Sequence, residues 1–81
     1  MPRDGYWWVT GWDYRADAVV LNGIDVANIC RVIEFLGELP VRVELYNVND
    51  EGKFYIDRDG IASTRFARGA ITVTRLRQHD A

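Results

Sequence analysis

The sequence predicts an α+β domain: an antiparallel sheet of about five strands, with one amphipathic helix packed on one face, in the order β-β-α-β-β-(β)-β. Three observations carry that expectation. Residues 6–14 (YWWVTGWDY) are aromatic and β-branched, the composition of a strand. Residues 41–46 (VRVELY) alternate apolar and polar side chains, the signature of a half-buried strand with Val41, Val43 and Leu45 inward. Residues 26–36, placed at roughly 100° per residue, gather Val26, Ile29, Cys30, Val32, Ile33 and Leu36 on one arc, opposite Asn28, Arg31, Glu34 and Glu38. One helix cannot cover two separate sheets, so a helix on a single sheet is the economical architecture, and a small curled or barrel-like sheet is the alternative.

Taken in order, residues 6–14 form the first strand. Period-two alternation sets Tyr6, Trp8, Thr10, Trp12 and Tyr14 on one face and Trp7, Val9, Gly11 and Asp13 on the other. A bulge at Gly11 would swap the faces beyond it. Arg15-Ala16-Asp17 turns the chain into a short strand over residues 18–21, and Asn22-Gly23 breaks it. Asp25 caps the helix Val26–Leu36, Gly37 sits just past its end, and Pro40 bars continuation. Phe35 departs from the helical pattern, falling on the polar arc between Asn28 and Arg31. After the strand 41–46, Asn47–Gly52 carries hairpin-turn chemistry. Phe54 and Ile56 face inward on the next strand, and Asp57-Arg58-Asp59-Gly60 turns again. Residues 61–67 return as a strand or an irregular segment, Ala67-Arg68-Gly69 turns, and 70–76 closes the sheet with Ile71 and Val73 on one face. Residues 1–81 form one small domain with no internal repeat, and 77–81 are a frayed tail.

The 81 residues carry a net charge of −2, unevenly spread. Residues 1–52 hold four basic and nine acidic side chains, a balance of −5; residues 53–81 hold six basic and three acidic ones, a balance of +3. A basic field over the whole molecule is absent, whereas a local basic face in the C-terminal region is available. Arginine outnumbers lysine nine to one, which favours planar contacts to carboxylate or phosphate. No apolar run approaches the ~18–20 residues of a membrane span, and no signal peptide is visible at the N-terminus. With Cys30 alone there is no internal disulfide, and a reduced, cytoplasmic setting fits.

Chemistry is sparsely provided. One Cys and one His cannot build a structural zinc site. Cys30 falls on the helix's core arc and His79 lies near the C-terminus, so no nucleophile and base converge. Asp57 and Asp59 flank Gly60, as turn residues do. Asn47–Gly52 echoes a calcium loop but places Arg58 where a bidentate Glu is required. Phosphate-binding glycine loops are absent, and Asp25 would repel an anion from the helix start. No enzyme activity, metal or cofactor is expected.

Three features stand out. Ten of the 81 residues are aromatic, and five of these lie between residues 6 and 14. Tyr6, Trp8, Trp12 and Tyr14 make a contact platform if their face is open; if that face meets the helix, they are core and Trp7 is exposed. Phe35 on the polar arc is a second candidate contact. Arg65 and Arg68 flank Phe66, and Arg75 and Arg77 are spaced to share a strand face. The reading that fits is a non-enzymatic protein-binding module, such as a small regulator, inhibitor or immunity-type protein of phage or mobile-element kind. It acts by sterically occupying a surface of a larger protein assembly, with Trp7, Trp12, Phe35, Arg65 and Arg68 as contacts. A homodimer is compatible with it, and no membrane contact is expected. The alternative is a single-stranded nucleic-acid-binding domain that adds Arg58, Arg75 and Arg77 as phosphate contacts.

Overall fold

The computed structural model describes residues 5–78, and these are almost entirely strands and turns. The strands are β1 (Tyr6–Thr10), β2 (Tyr14–Arg15), β3 (Ala18–Leu21), β4 (Ile24–Asp25), β5 (Cys30–Leu36), β6 (Leu39–Tyr46), β7 (Thr64–Ala67), β8 (Ile71–Thr74) and β9 (Arg77–Gln78). Three antiparallel sheets result. The largest has the order β1-β5-β6-β7, a second has β4-β3-β8, and β2 pairs with β9.

The expected α+β architecture is therefore corrected, because the predicted helix 26–36 is not a helix. Ala27–Ile29 forms one 3-10 turn, and Cys30–Leu36 is the central strand β5. The physical reason lies in the side chains. Val26, Ile29, Val32 and Ile33 are β-branched and lose rotamer freedom in a helix, whereas a pleated surface suits them. The same residues also fit period two, with Ile33 and Phe35 inward and Val32, Glu34 and Leu36 outward. Asp25 does not cap a helix; its Oδ1 accepts the Ala27 amide two residues on, at 3.0 Å. Gly37 is not a helix terminator either. It is the first residue of a two-residue hairpin turn, Gly37-Glu38, between Leu36 and Leu39, and its φ of 62° is what a type II′ turn demands of that position.

A second tight hairpin joins β3 to β4 through Asn22-Gly23. Both residues have positive φ (51° and 88°), the pattern of a type I′ turn, for which Asn-Gly is the preferred pair. The Asn22 side chain then accepts the Ala70 amide at 2.9 Å, tying this turn to the entry of β8.

Other expectations shift in smaller ways. The first strand ends at Thr10, and Gly11–Asp13 is a turn, so Gly11 is not a bulge inside a strand. Residues 53–56 form no named strand, and Phe54 and Ile56 are exposed instead of inward. Arg77 and Gln78 pair with Arg15 and Tyr14, so order extends to Gln78; residues 79–81 lie outside the described residues. Val43 and Leu45 do point inward and are fully buried, while Val41 is an extra residue at an irregularity in the β5–β6 ladder.

The core sits between the large sheet and the β3–β8 sheet. Trp7, Val9, Ile33, Phe35, Val43 and Leu45 line one side, and Val19 and Val26, with Leu21, Ile71 and Val73 partly buried, line the other. Each fully buried side chain contributes about 1.5–3 kcal/mol. The folded surface is 6007 Å², against about 5,000 Å² for a chain of this mass. The radius of gyration is 13.0 Å, against about 11.7 Å from the length.

Part of the excess is an excursion, residues 47–63, between β6 and β7. It contains two turns of one construction. Asn49 Oδ1 accepts the amides of Glu51 and Lys53, and Asp57 Oδ1 accepts those of Asp59 and Ile61. In each turn the glycine amide returns to the carbonyl of the first residue, Gly52 to Asn49 and Gly60 to Asp57. Residues 48–55 and 56–63 thus share one turn construction, with Val48 and Ile56, Asn49 and Asp57, and Gly52 and Gly60 at matching positions.

Candidate functional site

The large sheet has one face in the core and one facing outward, and the outward face is the candidate site. Alternation along β1 turns Tyr6 and Trp8 outward, 58% and 65% exposed, while Trp7 and Val9 turn inward. Register then assembles the face across the strands. Tyr6 lies opposite Leu36, which lies opposite Leu39; Trp8 lies opposite Glu34, which lies opposite Arg42; Glu44 lies opposite Phe66. Leu36, Leu39 and Phe66 are all exposed.

Charge on this face is paired. The Arg42 guanidinium grips Glu34 with two hydrogen bonds, Nε to Oε2 and Nη2 to Oε1, both 2.6 Å. That fork holds the Glu34 carboxyl below the usual carboxylate range, chiefly through the hydrogen bond from Arg42. Arg42 also sits over the Phe66 ring, its guanidinium carbon 4.2 Å from the ring centre, a cation–π contact. Glu44 uses both oxygens, one taking a bond from Arg31 at 2.6 Å and the other from the Thr64 hydroxyl at 2.7 Å. Further along, Tyr46 stacks on Phe54 with ring centres 4.6 Å apart, which joins the face to the excursion.

The structure scatters the residues expected to make contacts. Trp7 and Phe35 are buried, 7% and 5% exposed, and stack on each other at 4.5 Å. The Trp7 indole donates to the Gly37 carbonyl at 2.7 Å. Their expected exposure is corrected for one reason: Phe35 was placed by a helical period, and on a strand it shares the inner face with Trp7. Trp12 is 81% exposed in the turn after β1. Arg65 is exposed on β7, and Arg68 is exposed just beyond it, near enough to Glu34 to assist its ionisation. Arg58 lies in the second turn of the excursion. Arg75 and Arg77 converge, but on Asp17, at 3.2 and 3.1 Å. The C-terminal arginines therefore do not form one free basic face.

The residues that sequence reasoning passed over are Leu36, Leu39 and Arg42. The signal for Arg42 was present, since strict alternation of 41–46 puts Arg42 and Glu44 together on the face away from the core. Tyr6 and Trp8 belonged to the open-face alternative for the first strand, which the structure selects for those two residues.

A concavity opens between the sheets. It has a volume of about 480 Å³ and is walled by Trp7, Phe35, Pro40, Ile71, Val73 and Leu76. That is room for a small apolar molecule. Its polar lining is Tyr14, Glu38, Thr72, Arg77 and Gln78, and of these Arg77 is held by Asp17 and by the Arg75 carbonyl.

Among the described residues, no group of His, Cys, Asp and Glu side chains is arranged to hold a metal ion. His79 lies outside the described residues. Burial pushes the Cys30 thiol up to about 11, so its reactive thiolate is scarce near neutral pH. No helix among the described residues is long and apolar enough to cross a membrane. Comparison of the chain with protein-family models, curated proteins and solved structures returns no match.

Proposed function

We propose that this chain is a non-enzymatic protein-binding module, a small regulator, inhibitor or immunity-type protein, that occupies a surface of a larger protein with the outer face of its four-stranded sheet. The observation that carries this reading is the uncovered row Tyr6, Trp8, Leu36, Leu39 and Phe66 around the Glu34–Arg42 pair. Large aromatic and aliphatic side chains on a rigid sheet supply contact area at little entropic cost, and Trp, Tyr and Arg are the residues enriched at binding hot spots. The paired charges favour a protein over a nucleic acid. Arg31 and Arg42 are each neutralised by a glutamate, so the face offers little net charge to phosphate.

The test is affinity capture from host lysate with and without nuclease, using the wild-type chain and the Trp8→Ser and Phe66→Ser variants. A stoichiometric protein that survives nuclease and is lost with both variants supports the reading, provided their amide spectra stay folded. A captured protein that both folded variants retain removes the outer face from the site. Loss of all binding on nuclease treatment, with salt-sensitive binding to plain oligonucleotides, replaces the reading with the nucleic-acid alternative.

A further inference from the structure

β1 ends the large sheet, and the hydrogen-bond parity of its ladder shows which of its backbone groups are left over. The Gly37 amide donates to the Gly5 carbonyl, and the Gly11 amide donates to the Arg31 carbonyl. Both pairs continue the β1–β5 register, and both are hydrogen-bonded pairs. Hydrogen-bonded and non-hydrogen-bonded pairs alternate in an antiparallel ladder. Gly5, Trp7, Val9 and Gly11 therefore turn their amides and carbonyls toward β5. Tyr6, Trp8 and Thr10 turn theirs away, to the open edge. Among the described residues, only the Thr10 carbonyl has a partner there, the Asp13 amide at 3.1 Å.

We propose that β1 is a self-pairing edge: two copies of the chain join antiparallel through it, across a two-fold axis at Trp8, into a continuous eight-stranded sheet. The register follows from the free groups. Tyr6 pairs with Thr10 of the second copy, whose carbonyl takes the Tyr6 amide on its second lone pair beside the Asp13 amide, and Trp8 pairs with its own counterpart. A two-fold normal to the sheet keeps both outer faces on the same side, so the two Trp8 rings become a cross-strand aromatic pair.

Of the two edges of this sheet, β1 is the one without charge, and a second copy of it brings none. An exposed edge is normally guarded against pairing by charge, proline, a bulge or short length. β1 is five residues, YWWVT, with no charge, no proline and no bulge in its register. The opposite edge, β7, carries Arg65 and is followed by Arg68, so two copies of it would bring arginines together. Two uncharged strands meet without repulsion. A pair of five-residue strands buries less than a standard interface, so the dimer is weak, with a Kd of about 10⁻⁵–10⁻³ M.

The experiment uses the full chain. Sedimentation measures mass from about 10 µM to 1 mM, and amide exchange is followed over the same range. Self-pairing slows exchange at Tyr6 and Trp8 by about tenfold or more as concentration rises, while Trp7 and Val9, already bonded to β5, change far less. Trp8→Lys and Trp8→Glu each place like charges face to face and stay monomeric, and an equimolar mixture of the two restores the dimer. Phe66→Ser, on the same face but away from the edge, leaves it intact. A monomer at every concentration overturns the proposal. So does a dimer in which the Tyr6 and Trp8 amides stay unprotected, because its contact is elsewhere. Neither readout involves the partner of the outer face, so this proposal and the binding-module reading fail separately.

Discussion

The two faces of the β1-β5-β6-β7 sheet are built from the same strands and differ by a shift of one residue. Trp7 and Trp8 are neighbours in the chain, yet one is in the core and the other is largely in solvent. Phe35 and Leu36 repeat the contrast on β5. Residue type does not decide which tryptophan is structural; parity does, and the ladder fixes parity. The inner face holds the molecule together, and the outer face is left with aromatic surface that stability does not require.

Substitutions on β5 break this comparison most directly. Phe35→Ala removes half of the stacked pair and leaves a cavity, at a cost of about 3–5 kcal/mol, while Leu36→Ala changes stability by less than about 0.5 kcal/mol. Denaturant titration of both variants checks it, and equal losses would mean the face assignment is wrong. Ile33→Ala and Val43→Ala follow, each at about 1–5 kcal/mol by the same measurement, whereas Trp8→Ala and Tyr6→Ala leave the midpoint nearly unmoved. A smaller effect comes from Asn22→Ala, about 1–2 kcal/mol, because alanine tolerates positive φ poorly and the bond to the Ala70 amide is lost.

Two titrations sharpen the contrast further. On the outer face, the Glu34 carboxyl is depressed in the folded chain, so its contribution is present above the ordinary value of 4.5 and is lost as pH falls through the depressed value. Glu34→Gln should flatten that acid limb of stability, and an unchanged limb would remove the Arg42 fork as its cause. On the core side, the Cys30 thiol is raised from 9.0 to about 11 by burial. The folded state therefore holds its proton longer. Stability owed to this group is constant below pH 9.0 and declines between there and about 11. Thiol-reagent labelling should be slow at neutral pH and become fast on unfolding.

Much of the strand content was legible in the sequence. Residues 6–10, 18–21, 41–46 and 71–74 announced themselves through alternation and β-branched side chains. The central strand did not, because an apolar pattern such as CRVIEFL fits both a 3.6-residue and a two-residue period. The missed arbiter was local. Asn22-Gly23 is a strong hairpin signal, and read that way it makes residues 24–25 a strand and leaves no room for Asp25 as a helix cap. Once β5 was misassigned, Phe35 moved from core to surface and the partner of Trp7 disappeared. The expected exposure of Trp7 and Phe35 therefore failed where the fold failed. Trp12, expected on the face of a strand 6–14, lies instead in the turn after β1 and is exposed there.

The pairing of β2 with β9 sets how fast this chain can reach its final form. Tyr14 and Gln78 meet from near opposite ends of the sequence, and β3 must find β8 across most of the same span. Among the paired strands of the described residues, only the β5–β6 hairpin, closed by two residues, and the short β3–β4 hairpin form from local contacts. Loop-closure entropy is therefore spent before most of the sheet rewards it, and refolding should take about milliseconds to seconds. Stopped-flow emission of a Trp8→Phe, Trp12→Phe variant, which keeps the buried Trp7 as its one tryptophan, would time that step, and a microsecond phase carrying the full signal would show that local hairpins alone suffice.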